Sequence, residues 1–372
     1  MDLKNLIEMS HRYGENEEFV LAGGGNTSYK ENGVLYVKGS GVQLSDILSE
    51  QFVKMDIKKL LEMVEREYPS EMSNSEREKN ALSDMMEARL PGEENKRPSI
   101  ESVLHAMFPY QYVLHVHPPL INGLTCAVNG KAVCGEMFSD KVVWIDLTKP
   151  GLILAQKCNK AFNAYAKKTG NDPQIVLLQN HGIFIAADTV EEIDKLMGYV
   201  VDTVESRIKE EPNFQIIPAT FDTDSLQAIK AKLKALYSDG DEPTALFCIN
   251  KQVSMFVKDK VSFKPISKPF TPDHIVYCKD EPLFIEQGND VATAFKAYTA
   301  RKGYKPKIIA IQGVGFFALG ENQKNADRAR QLFLDAVKIA TYAKSFGGAN
   351  PLSDEFADFI LNWEVEAYRS KA

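Results

Sequence analysis

No stretch of this 372-residue chain is both apolar enough and long enough to span a bilayer. Its start, Met1-Asp2-Leu3-Lys4-Asn5, has neither the basic opening nor the apolar core of a secretory signal. Cysteine is sparse. The five residues Cys126, Cys134, Cys158, Cys248 and Cys278 are odd in number, widely spaced and form no CxxC pair. That argues against a disulfide framework and a thiolate metal site, and fits buried thiols in a reducing cytoplasm. The net charge of −7 and the lack of a basic stripe provide no general field for nucleic acid. An anionic small-molecule substrate would need a local pocket of donors instead. The expectation is a cytoplasmic protein with neither membrane nor nucleic acid as partner. What is present is an ordinary globular composition, 44% apolar, in a chain too long for one core, so two domains are expected.

Histidine is also scarce, with six residues, yet four of them (His105, His115, His117 and His181) fall in one stretch. The run Tyr112-Val113-Leu114-His115-Val116-His117 is apolar, β-branched and aromatic, and Pro118-Pro119 stops it. It predicts a short buried strand. Side chains two apart on a strand share a face, so both imidazoles can converge on one point. His181 falls just beyond a second apolar run, Ile175 to Gln179. A lone strand histidine is ordinarily a core or surface residue; it is the clustering that argues for a metal. Three neutral imidazoles with a position left open form the ligand set of a catalytic zinc-type site, whose chemistry is Lewis-acid activation of an oxygen-rich substrate.

Gly23-Gly24-Gly25-Asn26-Thr27-Ser28 leads into a strand, Asn32-Gly33 signals a type I′ hairpin, and the return strand runs into Lys38-Gly39-Ser40-Gly41. Pairing about that turn sets Asn26 opposite Gly39 and Gly25 opposite Ser40. Glycine-exposed amides, two hydroxyls, a carboxamide and the Lys38 ammonium would together make a phosphate cradle. The glycine spacing is not that of a dinucleotide fingerprint, and no helix follows as a Walker loop requires. Taken alone, glycine at strand ends is ordinary turn geometry.

Arg97-Pro98-Ser99-Ile100-Glu101 reads as the opening of a helix continuing through His105 to Phe108, with Ser99 as N-cap and amides left free for an anion. Glu101 then lies in the first turn, a short loop from the HxH strand. Such a glutamate is usually only a dipole partner. His105, one turn later, reads as a ligand, a packed helix residue or a donor behind the ligands.

Short strands alternating with amphipathic helices, Asp56 to Glu67 and Thr189 to Ile208 among them, argue for an α/β layered domain. Ser73-Asn74-Ser75-Glu76 has capping-box spacing for another helix. The pattern lapses between Glu211 and Asp224, so a domain is expected over 1–212 and another over 223–372. The second region echoes the first. Ile175 to Phe184 resembles Ile308 to Phe317, each followed by a long helix, with His181 matched by Val314. The reading is a duplication whose second copy has lost its metal ligands.

Gly25-Asn26-Thr27-Ser28, Lys38-Gly39-Ser40-Gly41, Pro98-Ser99-Ile100-Glu101, His115-Val116-His117 and Asn180-His181-Gly182 occur in the order seen in the class II aldolase/adducin family. Across residues 1 to about 210 the chain resembles that family, and most of all the aldolase portion of bifunctional rhamnulose-phosphate aldolase/dehydrogenase proteins. The resemblance implies a central β-sheet flanked by helices, with a degenerate second copy, and assembly as a homo-oligomer. It implies a divalent metal, usually zinc, on His115, His117 and His181, with Glu101 as the acid/base carboxylate. Gly25, Asn26, Lys38, Gly39, Ser40, Gly41 and Ser99 would hold a substrate phosphate. The activity implied is cleavage of a ketose 1-phosphate of rhamnulose or fuculose type to glycerone phosphate and an aldehyde, through a metal-stabilised enediolate. Relatives on the same scaffold epimerise or dehydrate sugar phosphates, and adducins use it for assembly without catalysis. Ile100 departs from the pattern, standing where family members often place a second hydroxyl beside the phosphate. The family's catalytic tyrosine has no motif here.

Overall fold

The computed structural model describes residues 3–66, 72, 74–219, 222–240 and 242–363. Among these, 3–125 and 130–207 with Trp363 form one compact unit, and 126–129 with 208–362 form another. Among the described residues the first unit is built on a seven-stranded sheet. Its strands are β1 (Asn26–Glu31), β2 (Val34–Lys38), β3 (Phe52–Asp56), β4 (Tyr112–Val116), β5 (Val143–Ile145), β6 (Ile175–Leu178) and β7 (Gly182–Ala187). They lie in the order β3-β2-β1-β4-β7-β6-β5, and all neighbours are antiparallel except β5 and β6.

Turn chemistry sets the first register. Asn32 and Gly33 have φ of 50° and 79°, the left-handed pair that a type I′ turn requires. Ser28 therefore pairs with Val37 and Glu31 with Val34, the register read from the sequence. The other edge of β1 meets β4 with Asn26 opposite His115. That pairing, between residues far apart in the chain, brings the glycine-rich strand to the HxH strand.

One face of the sheet carries a core in which Leu35, Val53, Val113 and Phe184 pack with residues from the helices Ile57–Glu65, Ser102–Met107 and Leu152–Thr169. The Asp56 carboxylate caps the first of these helices by accepting from the Lys59 amide at 3.2 Å, and its Leu60, Met63 and Val64 are buried at helical spacing. The helix Val190–Glu205 is capped in the same way by Thr189 and buries Ile193, Met197, Val200 and Val204. Burial of such a stripe, at about 25 cal/mol per Å² of apolar surface, is what holds these helices to the sheet. A helix also spans Asn74–Glu87; its expected cap, Ser73, lies outside the described residues.

The helix after Ser99 differs from expectation. It begins at Ser102 and ends at Met107, and Glu101 is its N-cap residue, not a first-turn residue. Ser99 does not cap it. Its hydroxyl instead accepts from the Glu101 amide at 3.3 Å, and its carbonyl accepts from the Ser102 amide at 3.1 Å. Directly after the Gly39–Pro98 bridge, residues 99–102 close a tight turn, Ser102 N donating to Ser99 O at 3.1 Å, and helical bonding starts only with His105 N to Glu101 O at 3.1 Å.

In the second unit β8 (Thr244–Cys248), β9 (Leu283–Ile285), β10 (Ile308–Ile311) and β11 (Gly315–Gly320) lie in the order β8-β11-β10-β9. This repeats β4-β7-β6-β5, parallel pair included. The small bonds repeat as well. Gln179 N donates to Ile145 O at 2.9 Å, and Gln312 N to Ile285 O at 2.9 Å. The Gln179 side-chain oxygen accepts from Leu147 N at 3.0 Å, and that of Gln312 from Gln287 N at 3.0 Å. Such agreement in register and side-chain caps fits a second copy. His115 is paired with Phe184 and Phe247 with Phe317, so the positions of His115, His117 and His181 are taken by Phe247, Ile249 and Val314.

Candidate functional site

His115 ends up fully buried near the end of β4, its ring stacked on Phe184 with centroids 4.0 Å apart. Its Nδ1 lies 2.9 Å from the Ile183 carbonyl, which only accepts, so Nδ1 carries the proton and the Nε2 lone pair faces the site. His117 follows the strand, anchored by its amide to Phe19 O at 3.1 Å, and its Nε2 is 2.9 Å from that of His115. His181 closes the β6–β7 turn, donating its amide to Leu178 O at 3.2 Å, with Asn180 in the left-handed region at φ 55°. The Asn122 amide holds the His181 carbonyl at 3.2 Å. One nitrogen from each of the three rings lies within 4.8 Å of the others.

Gly182 is what lets the rings approach. A Cβ there would stand 2.5 Å from Val116 O and 2.6 Å from His117 Cδ2.

Glu101 completes the cluster. Its Oε1 lies 3.3 Å from Nε2 of both His115 and His181, is buried, and has no aligned hydrogen bond. Its Oε2 accepts from Asn26 Nδ2 at 2.7 Å. Burial pushes this carboxyl up, but positive charge among the His115 and His181 rings, with the Asn26 amide, outweighs that and holds it well below the usual carboxylate range. An orphaned anionic oxygen facing imidazole lone pairs inside a protein is costly unless something positive sits among them. Neutral nitrogens with a carboxylate oxygen suit a divalent cation of the zinc type. The residues present therefore fit a metal.

The glycine loops meet as expected but use their amides differently. Gly39 N donates to Gln51 O at 3.0 Å, Ser40 N to Arg97 O at 2.7 Å and Ser99 N to Lys38 O at 3.1 Å. These three amides are engaged within the protein. A Cβ on Gly25, whose φ is 65°, would stand 2.8 Å from His115 O, so this glycine serves close backbone approach. Gly41 has φ 83° and turns the chain. Lys38 is buried, and Asn26 is engaged with Glu101.

His105 is not among the rings that converge. It lies behind Asn26, fully buried, with Nδ1 2.7 Å from Ser28 Oγ. Asn122 and Phe184 carry no site role in the sequence pattern, and Ser28 appears there only as part of the Gly25-Asn26-Thr27-Ser28 motif. Their contacts arise from strand pairing and from helix Pro119–Thr125, which no motif marks.

Residues 4–208 match the model of the Class II Aldolase and Adducin N-terminal domain family. The chain belongs to that family. Over 99% of its length it is 24% identical to the uncharacterized oxidoreductase YuxG of Bacillus subtilis (strain 168), and it spans 58% of the length of that curated relative. Among solved structures it is similar to the N-terminal class II aldolase domain of a conserved protein from Thermoplasma acidophilum. The identity is 26% and the TM-score 0.47, over 55% of this chain and 93% of that one. It is also similar to L-fuculose-1-phosphate aldolase from Thermus thermophilus, at 16% identity and TM-score 0.36, over 55% of this chain and 94% of that one. This class II aldolase-family chain has a described region in which no helix is long and apolar enough to cross a membrane.

Proposed function

We propose that this chain is a metal-dependent carbon–carbon lyase, cleaving a ketose 1-phosphate of rhamnulose or fuculose type to glycerone phosphate and an aldehyde. The observation that carries the reading is the buried Glu101 Oε1, without an aligned hydrogen bond, facing His115 and His181 at 3.3 Å, with His117 beside them. His115, His117 and His181 would hold the cation, zinc being the metal their donor set favours. When bound it supplies Lewis-acid stabilisation of negative charge on the substrate's oxygens.

The chain's own residues do the rest. In the condensation direction the ionised Glu101 Oε1 removes a proton from the carbon beside the substrate carbonyl, and that carbon's electron pair forms the new bond to the aldehyde. The alkoxide left on the former aldehyde carbon then takes that proton from Glu101; cleavage runs the same steps in reverse, with Glu101 accepting the hydroxyl proton as the carbon–carbon bond breaks and delivering it to the carbon beside the carbonyl. Burial of the carboxylate keeps water from competing for that proton. The Lys38 ammonium, with the Ser40 and Ser99 hydroxyls and the Gly25, Asn26 and Gly41 backbone, would meet the phosphate, while Gly39, whose amide donates to Gln51 O, would serve only the turn beside it. Assembly as a homo-oligomer and residence in the cytoplasm belong to the same reading.

The test is product analysis with a panel of ketose phosphates and metal-loaded protein. Two fragments support the lyase. A product with its carbon skeleton whole makes the protein an epimerase or dehydratase, and turnover of none makes it an assembly module.

A further inference from the structure

Behind Glu101 runs a line of hydrogen bonds that the proton transfer does not itself use. Asn26 Nδ2 donates to Glu101 Oε2 at 2.7 Å, Asn26 Oδ1 contacts His105 Nε2, and His105 Nδ1 lies 2.7 Å from Ser28 Oγ. All four side chains are buried: Ser28 and His105 have 0% exposure, and Asn26 and Glu101 6%. Elements far apart in the chain supply them, Asn26 and Ser28 from β1 and His105 from the helix Ser102–Met107. The edge of the Phe184 ring packs His105 in place, with centroids 5.5 Å apart.

The polarity of this line follows from its end. An ionised carboxylate only accepts, so Asn26 must turn its NH₂ toward Glu101 and its carbonyl toward His105. Facing a carbonyl, His105 Nε2 must carry the ring proton. A neutral ring then has a lone pair on Nδ1, which takes the Ser28 hydroxyl proton. Burial holds the His105 imidazole well below its ordinary range, consistent with a neutral ring. Each donor thus has an acceptor, and reversing any one bond leaves a buried polar atom unpaired.

We propose that His105 is a positioning residue for Glu101: through Asn26 it commits Oε2 to accepting a hydrogen bond, and so assigns proton exchange to Oε1. Oε1 is the oxygen on the histidine side, without an aligned partner of its own. A carboxylate free to rotate would present either oxygen, and the reacting one would be in place only part of the time. The kinetic part of this inference rests on the lyase reading above; the hydrogen-bond polarity does not.

The experiment has two arms. In metal-loaded protein with ¹⁵N-labelled histidine, long-range ¹H–¹⁵N correlation spectra should show His105 as the neutral Nε2–H tautomer. The signal is assigned by its loss in His105→Gln. A proton on Nδ1 instead overturns the proposal whether or not any ketose phosphate is cleaved. In the second arm, His105→Leu should lower kcat about 10–100-fold with metal content and KM unchanged. His105→Gln, whose NH₂ can donate to Asn26 Oδ1, should recover most of the loss. In an Asn26→Ala background His105→Leu should cost nothing further, since the line is already cut. Wild-type kcat in His105→Leu, or a full additional loss in the Asn26→Ala background, overturns it. Should His105→Leu fail to fold, the tautomer and the His105→Gln rate still decide.

Discussion

Gly182→Ala is the sharpest perturbation of the site, because it adds one methyl group and changes no donor. Gly182 is not among the residues with positive φ, so backbone strain is not involved. Its added Cβ would lie 2.5 Å from Val116 O, 2.6 Å from His117 Cδ2 and 3.4 Å from His115 Cε1. Carbon contacts normally settle at about 3.5–4.0 Å, so β4 and β7 must part by roughly 1 Å where they carry the ligands. Overpacking of this kind costs about 1–3 kcal/mol. At roughly 2–4 °C per kcal/mol for a unit of this size, the melting temperature should fall by roughly 2–12 °C. The same shift misplaces two imidazoles, and affinity for Zn²⁺ or Co²⁺ should fall about 10–100-fold. Gly315→Ala is the control. It occupies the equivalent place in the second copy, with φ 146° and a Cβ 2.6 Å from Cys248 O. It should lower stability and leave metal affinity unchanged. Thermal melts by circular dichroism and competition titrations against a chromophoric chelator measure both quantities. Wild-type metal affinity in Gly182→Ala would refute the claim that β4–β7 contact sets the ligand geometry.

Glu101→Gln should retain metal while slowing exchange of the product's α-proton about 10²–10⁴-fold, followed by NMR in D₂O; exchange at the normal rate rejects the acid/base role. Adding Zn²⁺ to chelator-treated protein should raise its melting temperature, by an amount equivalent to about 4 kcal/mol at a thousand times Kd. His181→Ala should abolish most of that rise, and an unchanged response would remove His181 from the ligand set. In the second unit burial pushes the Glu321 carboxyl up, but its own amide, Lys307, Asn325 and Tyr237 outweigh this and hold it at about 2. A folded-state pKa below the unfolded one stabilises the protein above the unfolded value, and that stabilisation is lost as pH falls through about 2. Glu321→Gln should therefore flatten the loss of stability on acidification between about pH 4.5 and 2, read from urea unfolding curves.

Local patterns carried much of this in legible form. The Asn32-Gly33 turn specifies its register through backbone conformation alone, and it appears as expected. The HxH spacing, the strand before His181 and the echo at Ile308 to Phe317 follow from side-chain periodicity and repetition. Where a reading depended on which partner a backbone group would choose, it went astray. The sequence reading left the amides of Gly39 and Ser40 open for an anion, yet Gln51 and Arg97 carbonyls take them, residues with no local relation to the loop. Ser99 looked like a cap, and the helix starts two residues later than such a cap would place it, after a tight Ser99–Ser102 turn that follows the Gly39–Pro98 bridge.

The sequence by itself determined which imidazoles can converge, the face-sharing of His115 and His117, the family and the lack of an HxH pair in the second region. These are properties of residue identity and short-range geometry, written within a few positions of one another. Only the tertiary structure decided that β1 lies against β4 with Asn26 opposite His115, and hence that Asn26 and Glu101 hydrogen-bond beside the rings. Only it showed His105 turned to the back of that pair. Such contacts join residues 75 to 79 positions apart, and burial with strand pairing, to which no local spacing responds, is what selects them.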